Sequence, residues 1–283
     1  MIQSMTGYGK SIIQLETKKI SLEIKSLNSK NLDINTRFPG VYKEKEIDVR
    51  KLIASNLVRG KVDMSFYIES TALETSTKIN KEVVANYIKQ LEEIHKETDI
   101  LAIAMRLPDV LKTEREELDP EEWDSIEKGI LEAIESLKEY RLSEGKELKN
   151  DFEDRIKTLQ KKLEEVIDLD GERLEQVRMR LKKSIKELEQ NVDENRFEQE
   201  LIYYLEKLDI TEEKVRLTNH LNYFLQELEV KVSNGKKLGF ISQEIGREIN
   251  TIGSKANFAP MQKVVVQMKD ELEKIKEQLL NVL

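Results

Sequence analysis

Hydrophobic and polar positions divide the chain into two regimes. Through residues 1–80 the dominant period is two. In "KKISLEIKSLN", Ile20, Leu22 and Ile24 alternate with Lys19, Ser21, Glu23 and Lys25, the pattern of a strand with one face buried. Leu32 and Ile34 keep that phase in "NLDINTRF", "SKN" between the two runs predicts a turn, and Pro39-Gly40 ends the second strand. Ile47, Leu52, Ile53 and Leu57 then fall at helical spacing, and alternation returns through Val62, Met64, Phe66 and Ile68. Strand, strand, helix, strand predicts an α+β region with a mainly antiparallel sheet.

From Asn80 onward the period is helical. Asn80 is a natural N-cap, and Pro108 and Pro120 punctuate short helices. Asp119-Pro120 followed by Glu121 and Glu122 opens a helix with acidic residues near its positive end. Phe152, Ile156, Leu159, Leu163 and Val166 step by fours and threes. After "DLDG" the stripe resumes through Leu174, Val177, Leu181, Ile185, Leu188 and Val192. That is a coiled-coil-like pattern, read as one broken helix or as an antiparallel hairpin turning at Gly171. "DLDG" lacks the remaining spaced oxygens of a calcium loop and is assigned as a turn. Val265, Met268, Leu272, Ile275 and Leu279 make one stripe on a final helix. The expected fold class is therefore α+β. An N-terminal, mainly antiparallel sheet with helices occupies 1–150, and a large helical region with long coiled-coil-like helices occupies 151–283. The stripes at 152–192 and 265–279 either pack on each other or offer seams to an oligomer.

Composition narrows the chemistry. In 283 residues, 39% hydrophobic content suffices for a core, and 36% charged content makes an ionic surface. A net charge of -8 argues against a uniformly basic nucleic-acid coat but leaves room for a local basic pocket. With no cysteine, disulfides, thiolate metal sites and thiol catalysis are excluded, which suits a reducing cytoplasm. "MIQSMTGYGK" lacks the design of a signal peptide, and no apolar run reaches membrane-span length. The expected location is cytoplasmic, with no membrane. Gly7 and Gly9 are too few for a phosphate-cradling loop.

Two places carry candidate chemistry. Of the two histidines, His95 lies in a Glu/Lys-rich face. His220 follows Glu213 and Arg216 at i, i+3 and i+7 on a helix whose natural cap is Thr211. It can serve as a base, a metal ligand or a charge-paired surface group. In "QEIGREINTIGSKANFAP", Glu244, Arg247, Glu248, Thr251 and Lys255 share a helical face opposite Ile245, Ile249 and Ile252. Two carboxylates one turn apart can hold a hard cation, and Arg247 and Lys255 can hold a phosphate. The plainer alternative is an ion-pair array worth a few tenths of a kcal/mol per pair. Asn250, Thr251, Gly253 and Ser254 each cost such a helix roughly 0.5–1 kcal/mol, which a plain scaffold does not explain.

In order along the chain, "SMTGYG", "SLNSKNLDINTRFP", "RGKVD", "RLSEGKELKND", "ENRFEQE", "LDITEEKVRLTNHL" and "ISQEIGREINTIGSKA" resemble the YicC/YloC family of bacterial endoribonucleases. The resemblance implies a cytoplasmic, metal-dependent RNA endonuclease, a ring-like homohexamer around an RNA channel, with other RNA-decay enzymes as partners. Position by position it implies a site of Glu213, Arg216, His220, Glu244, Arg247, Glu248, Asn250 and Lys255. In that site Mn²⁺ or Mg²⁺ is held by Glu213, Glu244 and Glu248. His220 orients or deprotonates the nucleophile, and Arg216, Arg247, Asn250 and Lys255 contact RNA. Arg37, Arg59 and Lys61 are assigned to the RNA path. Gly246, where a larger polar residue is expected, and the apolar "KANFAP" depart from the family pattern. The competing possibilities are a non-catalytic RNA-binding adaptor that delivers RNA to another nuclease, and a purely structural coiled-coil protein.

Overall fold

The computed structural model describes residues 2–70, 77–94, 99–113, 118–187 and 194–283. Strand β1 (Gly7–Gln14) pairs antiparallel with β2 (Lys18–Leu27). After β3 (Leu32–Arg37), a 3-10 turn at Gly40–Lys45 leads into α1 (Glu46–Asn56) and then β4 (Gly60–Ser70). The sheet order is β1-β2-β4-β3, with β2 and β4 antiparallel and β3 and β4 parallel. The parallel pair follows from the helical crossover between its strands, which a tight turn cannot replace. The sheet is therefore mixed, with two of its three pairings antiparallel.

Strand β1 was not expected from the hydrophobic pattern. Its inward positions include Gly9 and Ser11, so the usual alternation of large apolar residues is missing. A ribbon of β5 (Thr77–Ile79) and β6 (Leu111–Thr113), with α2 (Lys81–Ile94) and α3 (Ile100–Ala104), forms a satellite around Val84, Ala104 and Val110. Asn80 caps α2 as expected, accepting from Val83 N at 3.4 Å.

The dominant element is α4 (Pro120–Glu187), 68 residues long, about 100 Å at 1.5 Å per residue. Asp119 caps it through Glu121 N at 3.0 Å. The turn expected at Gly171 is absent, because the helix runs straight through "DLDG". Its acids are used differently. Asp170 pairs with Arg173 one turn on, at 2.7 Å, and with Lys214 at 2.7 Å. One glycine costs a helix about 1 kcal/mol, and these ion pairs span that weak point. Of the stripe resumed after "DLDG", Leu188 and Val192 lie outside the described residues.

Helix α4 serves two cores. Trp123, Ile126, Ile130, Ile134 and Leu137 cover the sheet residues Ile20, Leu22, Ile24, Val62 and Met64, together with Val49 and Ile53 of α1. Further along, Phe152, Ile156, Leu159, Leu163 and Val166 pack with α6 (Thr211–Leu228), α7 (Gly235–Lys255) and α8 (Ala259–Leu279). Helix α5 (Glu194–Lys207) precedes α6. Val265, Met268, Leu272, Ile275 and Leu279 are all buried within the one chain, as are Phe152 to Val166. The 152–166 part of the first stripe and the 265–279 stripe therefore pack into one core, while beyond Gly171 Val177 is buried and Leu174 and Leu181 are half-buried.

The two cores are also tied by chain segments far apart in sequence. Leu283 N donates to Gln3 O at 2.9 Å and Met5 N to Asn281 O at 2.7 Å. Gly60 adopts φ 128°, a left-handed conformation that favours glycine, and it sits against Ser26 and Arg141 in this junction.

Candidate functional site

Helices α6 and α7 are joined by six residues and pack antiparallel. Lys237 near the start of α7 pairs with Glu227 near the end of α6 at 2.6 Å, and Lys255 at the end of α7 pairs with Glu213 at the start of α6 at 2.7 Å. Those two ion pairs bracket a seam. On α6 it carries 213, 220 and 227, seven residues apart, and on α7 it carries 237, 244, 248 and 255. Steps of seven and eleven stay on one helical face, so His220, Glu244 and Glu248 fall between the bracketing pairs. Beneath them, Leu217, Leu221, Phe224, Ile245, Ile249 and Ile252 are fully buried.

The carboxylates differ in environment. Glu213 is 7% exposed; its Oε1 accepts from Lys255, while Oε2 is buried with no hydrogen-bond partner among the described residues. Lys255 also donates to Asp209 O at 2.8 Å, which fixes the entry to α6. Glu248 is 8% exposed and makes no hydrogen bond or ion pair among the described residues. Glu244 is half-buried and pairs with exposed Arg247 at 2.8 Å. His220 is half-buried and likewise has no polar partner among the described residues. Arg216 is exposed and pairs with Glu212, and Asn250 is exposed.

The single charged face expected on α7 is thus divided. Glu248 turns into the seam while its neighbour Arg247 points to solvent. Thr251 and Ser254 donate to carbonyls of their own helix, Arg247 O at 3.0 Å and Thr251 O at 2.9 Å. A Cβ on Gly246 would lie 3.2 Å from Leu272, and one on Gly253 would lie 3.0 Å from Val265. The two glycines let α8 approach α7, so the weak helix formers of this segment are explained largely by packing. Thr211 does not cap α6 with its side chain. Asp209 takes that role, accepting from Thr211 N at 3.1 Å and Thr211 Oγ1 at 2.8 Å.

Among the described residues no three His, Asp or Glu side chains converge on one point where a metal ion could sit. The expected set of Glu213, Glu244 and Glu248 is not assembled as a closed cage, because Glu213 is turned to Lys255 and Glu244 to Arg247. The donor chemistry still suits a hard cation. Glu213 Oε2 and the Glu248 carboxylate are oxygens without partners among the described residues, and Mg²⁺-type sites commonly use one or two carboxylates with substrate phosphates and water. Arg59 is half-buried, and its Nη2 donates to Val282 O at 2.6 Å. Arg37 and Lys61 are exposed on the sheet, and His95 lies outside the described residues.

Other groups were not expected from sequence. Arg173, 1% exposed, holds Leu208 O at 2.9 Å as well as Asp170. Gln262 Nε2 donates to Ala256 O at 3.2 Å and also binds Gly253 O, closing the end of α7. The Asp170–Arg173 spacing of three is a usable signal once "DLDG" is helical. Gln262 has none, because its partners lie on a different helix.

The Thr211 hydroxyl holds the Asp209 carboxyl below its ordinary value of 3.8, with further help from Thr211 N–H and Lys214. A depressed native value contributes stability that is present above the ordinary value and lost as pH falls through the lowered one. Asp209→Asn is therefore expected to flatten the acid limb of a melting-temperature profile below about pH 4, leaving the neutral limb shifted but parallel.

Two family models match the chain: the N-terminal region of YicC-like endoribonucleases over residues 2–150, and their C-terminal region over residues 166–283. The chain belongs to the YicC-like endoribonuclease family. It is 34% identical, over 294 aligned residues, to the probable endoribonuclease YicC of Clostridioides difficile (strain 630). It is 28% identical over 295 aligned residues to that of Haemophilus influenzae (strain ATCC 51907 / DSM 11121 / KW20 / Rd). Both alignments cover all of each chain.

The YicC-like motifs separate into two groups in space. "LDITEEKVRLTNHL" and "ISQEIGREINTIGSKA" form the α6–α7 seam. "SMTGYG", "SLNSKN", "RGKVD" and "RLSEGKELKND" meet elsewhere, at the junction of the cores. Thr6 Oγ1 donates to Glu144 at 2.6 Å, Ser26 Oγ to Met5 O at 2.9 Å, and Arg59 to Val282 O. No helix among the described residues is long and apolar enough to cross a membrane.

Proposed function

We propose that this chain is a cytoplasmic endoribonuclease that cuts RNA phosphodiester bonds at the α6–α7 seam, with a divalent ion, Mn²⁺ or Mg²⁺, as cofactor. The observation that carries this is the Oε2 of Glu213, a buried oxygen with no hydrogen-bond partner among the described residues, on the same seam as Glu248 and His220, neither of which has a polar partner there. A fold gains nothing from such groups, since a buried acceptor without a donor costs free energy. Waiting for a ligand is their physical explanation. The names of the two relatives support RNA as that ligand.

Glu213 and Glu248 would hold the ion, which supplies positive charge at a phosphoryl oxygen. His220 is placed to accept or deliver a proton. Arg216 and Arg247, exposed at the rim, meet the phosphate chain that a net charge of -8 otherwise repels. Among the described residues no three acidic or histidine side chains of the seam converge on one point, and α5 exposes Ile202, Tyr203 and Tyr204. Both features favour a homo-oligomer, a ring of six in this proposal, in which a neighbouring chain completes the site.

The test is an RNA cleavage assay on the purified chain, with EDTA and with Mn²⁺ or Mg²⁺ restored, beside the Glu244→Gln/Glu248→Gln double variant. Cleavage that is lost in EDTA, returns with metal and is absent in the variant supports the proposal. RNA bound but never cut, with any metal, makes the chain an adaptor instead. Wild-type cleavage by the double variant removes the seam from the chemistry.

A further inference from the structure

The junction of the two cores carries a second concentration of charge, beyond the Lys237–Glu227 end of the seam. A cleft of 670 Å³ opens between the loop after α1, the middle of α4 and the loop that enters α7. Its ionisable side chains are Arg59, Lys138, Arg141, Lys231 and Lys236 against the acid side chain of Glu135 among the described residues, with the α-carboxylate of Leu283 also on its wall. That is a local reversal of sign in a chain with 55 acidic and 47 basic residues.

Arg141 makes the cleft more than a patch of surface lysines. It is 3% exposed, and Nη2 donates to Met5 O at 3.1 Å, to Ser26 Oγ and to Arg59 O at 3.3 Å. Its Nε is buried with no acceptor, and no carboxylate pairs with it among the described residues. A buried guanidinium is normally paired. Here the charge is held by neutral oxygens, and burial pulls its pKa down to about 10, so it stays charged at neutral pH. Lys231 and Lys236, exposed at the mouth, also have no ion-pair partner among the described residues. Lys138 is engaged by Asn56 Oδ1 at 3.0 Å and Glu135 at 3.3 Å. The walls are fixed by Gly235 N donating to Leu283 O at 2.8 Å and by Ser233 Oγ donating to the same oxygen at 2.9 Å.

We infer that this cleft binds a phosphodiester segment of RNA, with Lys231 and Lys236 contacting phosphates over the uncompensated charge of Arg141. The inference rests on RNA being the substrate and adds a docking site to the seam. The cleft adjoins the start of α7 and the seam runs from there along the helix to Lys255, and the 21 residues of α7 span about 31 Å. One strand running along α7 would engage both.

The experiment measures binding of a fluorescein-labelled 20-nucleotide oligouridylate by anisotropy, over a series of salt concentrations. The full chain is compared with Lys231→Gln/Lys236→Gln, and with Lys81→Gln/Lys89→Gln on α2, which changes net charge equally. All four lysines are exposed, so a melting curve will show each variant folded. The cleft variant is expected to bind about tenfold more weakly at 0.1 M salt. Its salt slope should fall by about 1.4, at roughly 0.7 for each phosphate of single-stranded RNA that is no longer neutralised. The α2 variant should match wild type. Equal affinity and slope for the two variants would overturn the cleft as an RNA site while leaving the nuclease proposal standing. A wild-type chain that neither binds nor cuts RNA would overturn both. Loss of cleavage in Glu248→Gln with the oligomer still tightly bound would separate cutting at the seam from holding in the cleft.

Discussion

Glu248→Gln is expected to remove at least about a hundredfold of RNA cleavage, the lower bound for a group acting in proton transfer or charge stabilisation, without lowering the melting temperature. The two halves of this expectation have one cause. Glu248, 8% exposed on the α6–α7 seam, receives no hydrogen bond or ion pair from the described residues. Exchanging its carboxylate for a neutral group of the same shape removes a charge the fold does not use. Stability should hold or rise by up to about 1 kcal/mol, some 2–4 °C for a chain of this class. Glu213→Gln is the contrast. It removes the negative charge that pairs with Lys255 at 2.7 Å and secures the entry to α6, so it should lose activity and stability together. A Glu248→Gln protein that melts several degrees lower and cleaves normally would make Glu248 a structural residue and sink the site.

The second large effect is expected at Gly9. A Cβ there would stand 1.9 Å from Ala133 O and 2.9 Å from Leu137 N, both backbone atoms of α4. A rotamer change cannot relieve such a contact; β1 and α4 would have to separate. Gly9→Ala should therefore cost more than the roughly 1–3 kcal/mol typical of overpacking, reaching the exceptional range above about 4 kcal/mol. That is a large share of the roughly 5–15 kcal/mol that ordinarily holds a domain. Gly40→Ala, where nothing lies within 4 Å of the new methyl group, is the matched control. Urea denaturation of both variants gives the comparison, and a Gly9→Ala midpoint within error of wild type would contradict the close approach of β1 to α4.

Gly9 also shows where the fold is legible from sequence and where it is not. Strands β2, β3 and β4 announce themselves because their core-facing positions, half-buried in β3, carry Ile, Leu, Val and Met at period two. Strand β1 buries Gly9 and Ser11, small enough for α4 to press against, and small residues leave no hydrophobic period. The same confusion of small with flexible makes Gly171 an expected turn, although the helix continues through it. At the site, spacing places 213 with 220 and 244 with 248, since those relations lie within one helix. It cannot decide which side of α7 faces α6. That separates Glu248 from Arg247, and it depends on Ile245, Ile249 and Ile252 finding a core supplied by other elements. The cleft at the junction is invisible for the same reason. Its lysines and arginines come from separate stretches of chain, and of them only Arg59, in "RGKVD", and Arg141, in "RLSEGKELKND", belong to motifs that point to RNA.

Helix α4 bears on how such a chain can be inherited. The two matched regions end at 150 and begin at 166, inside a helix that runs unbroken from Pro120 to Glu187. Either half expressed alone would carry a length of α4 whose apolar stripe has lost its cover. A gene that exchanged one half for a relative's would have to keep the helical phase to the residue. One residue added or lost between Leu137 and Phe152 would rotate one core by about 100° against the other, displacing the cleft at the start of α7 from the seam that runs along it. Insertions in this family should therefore collect in the connections around the satellite and α5, and avoid the middle of α4.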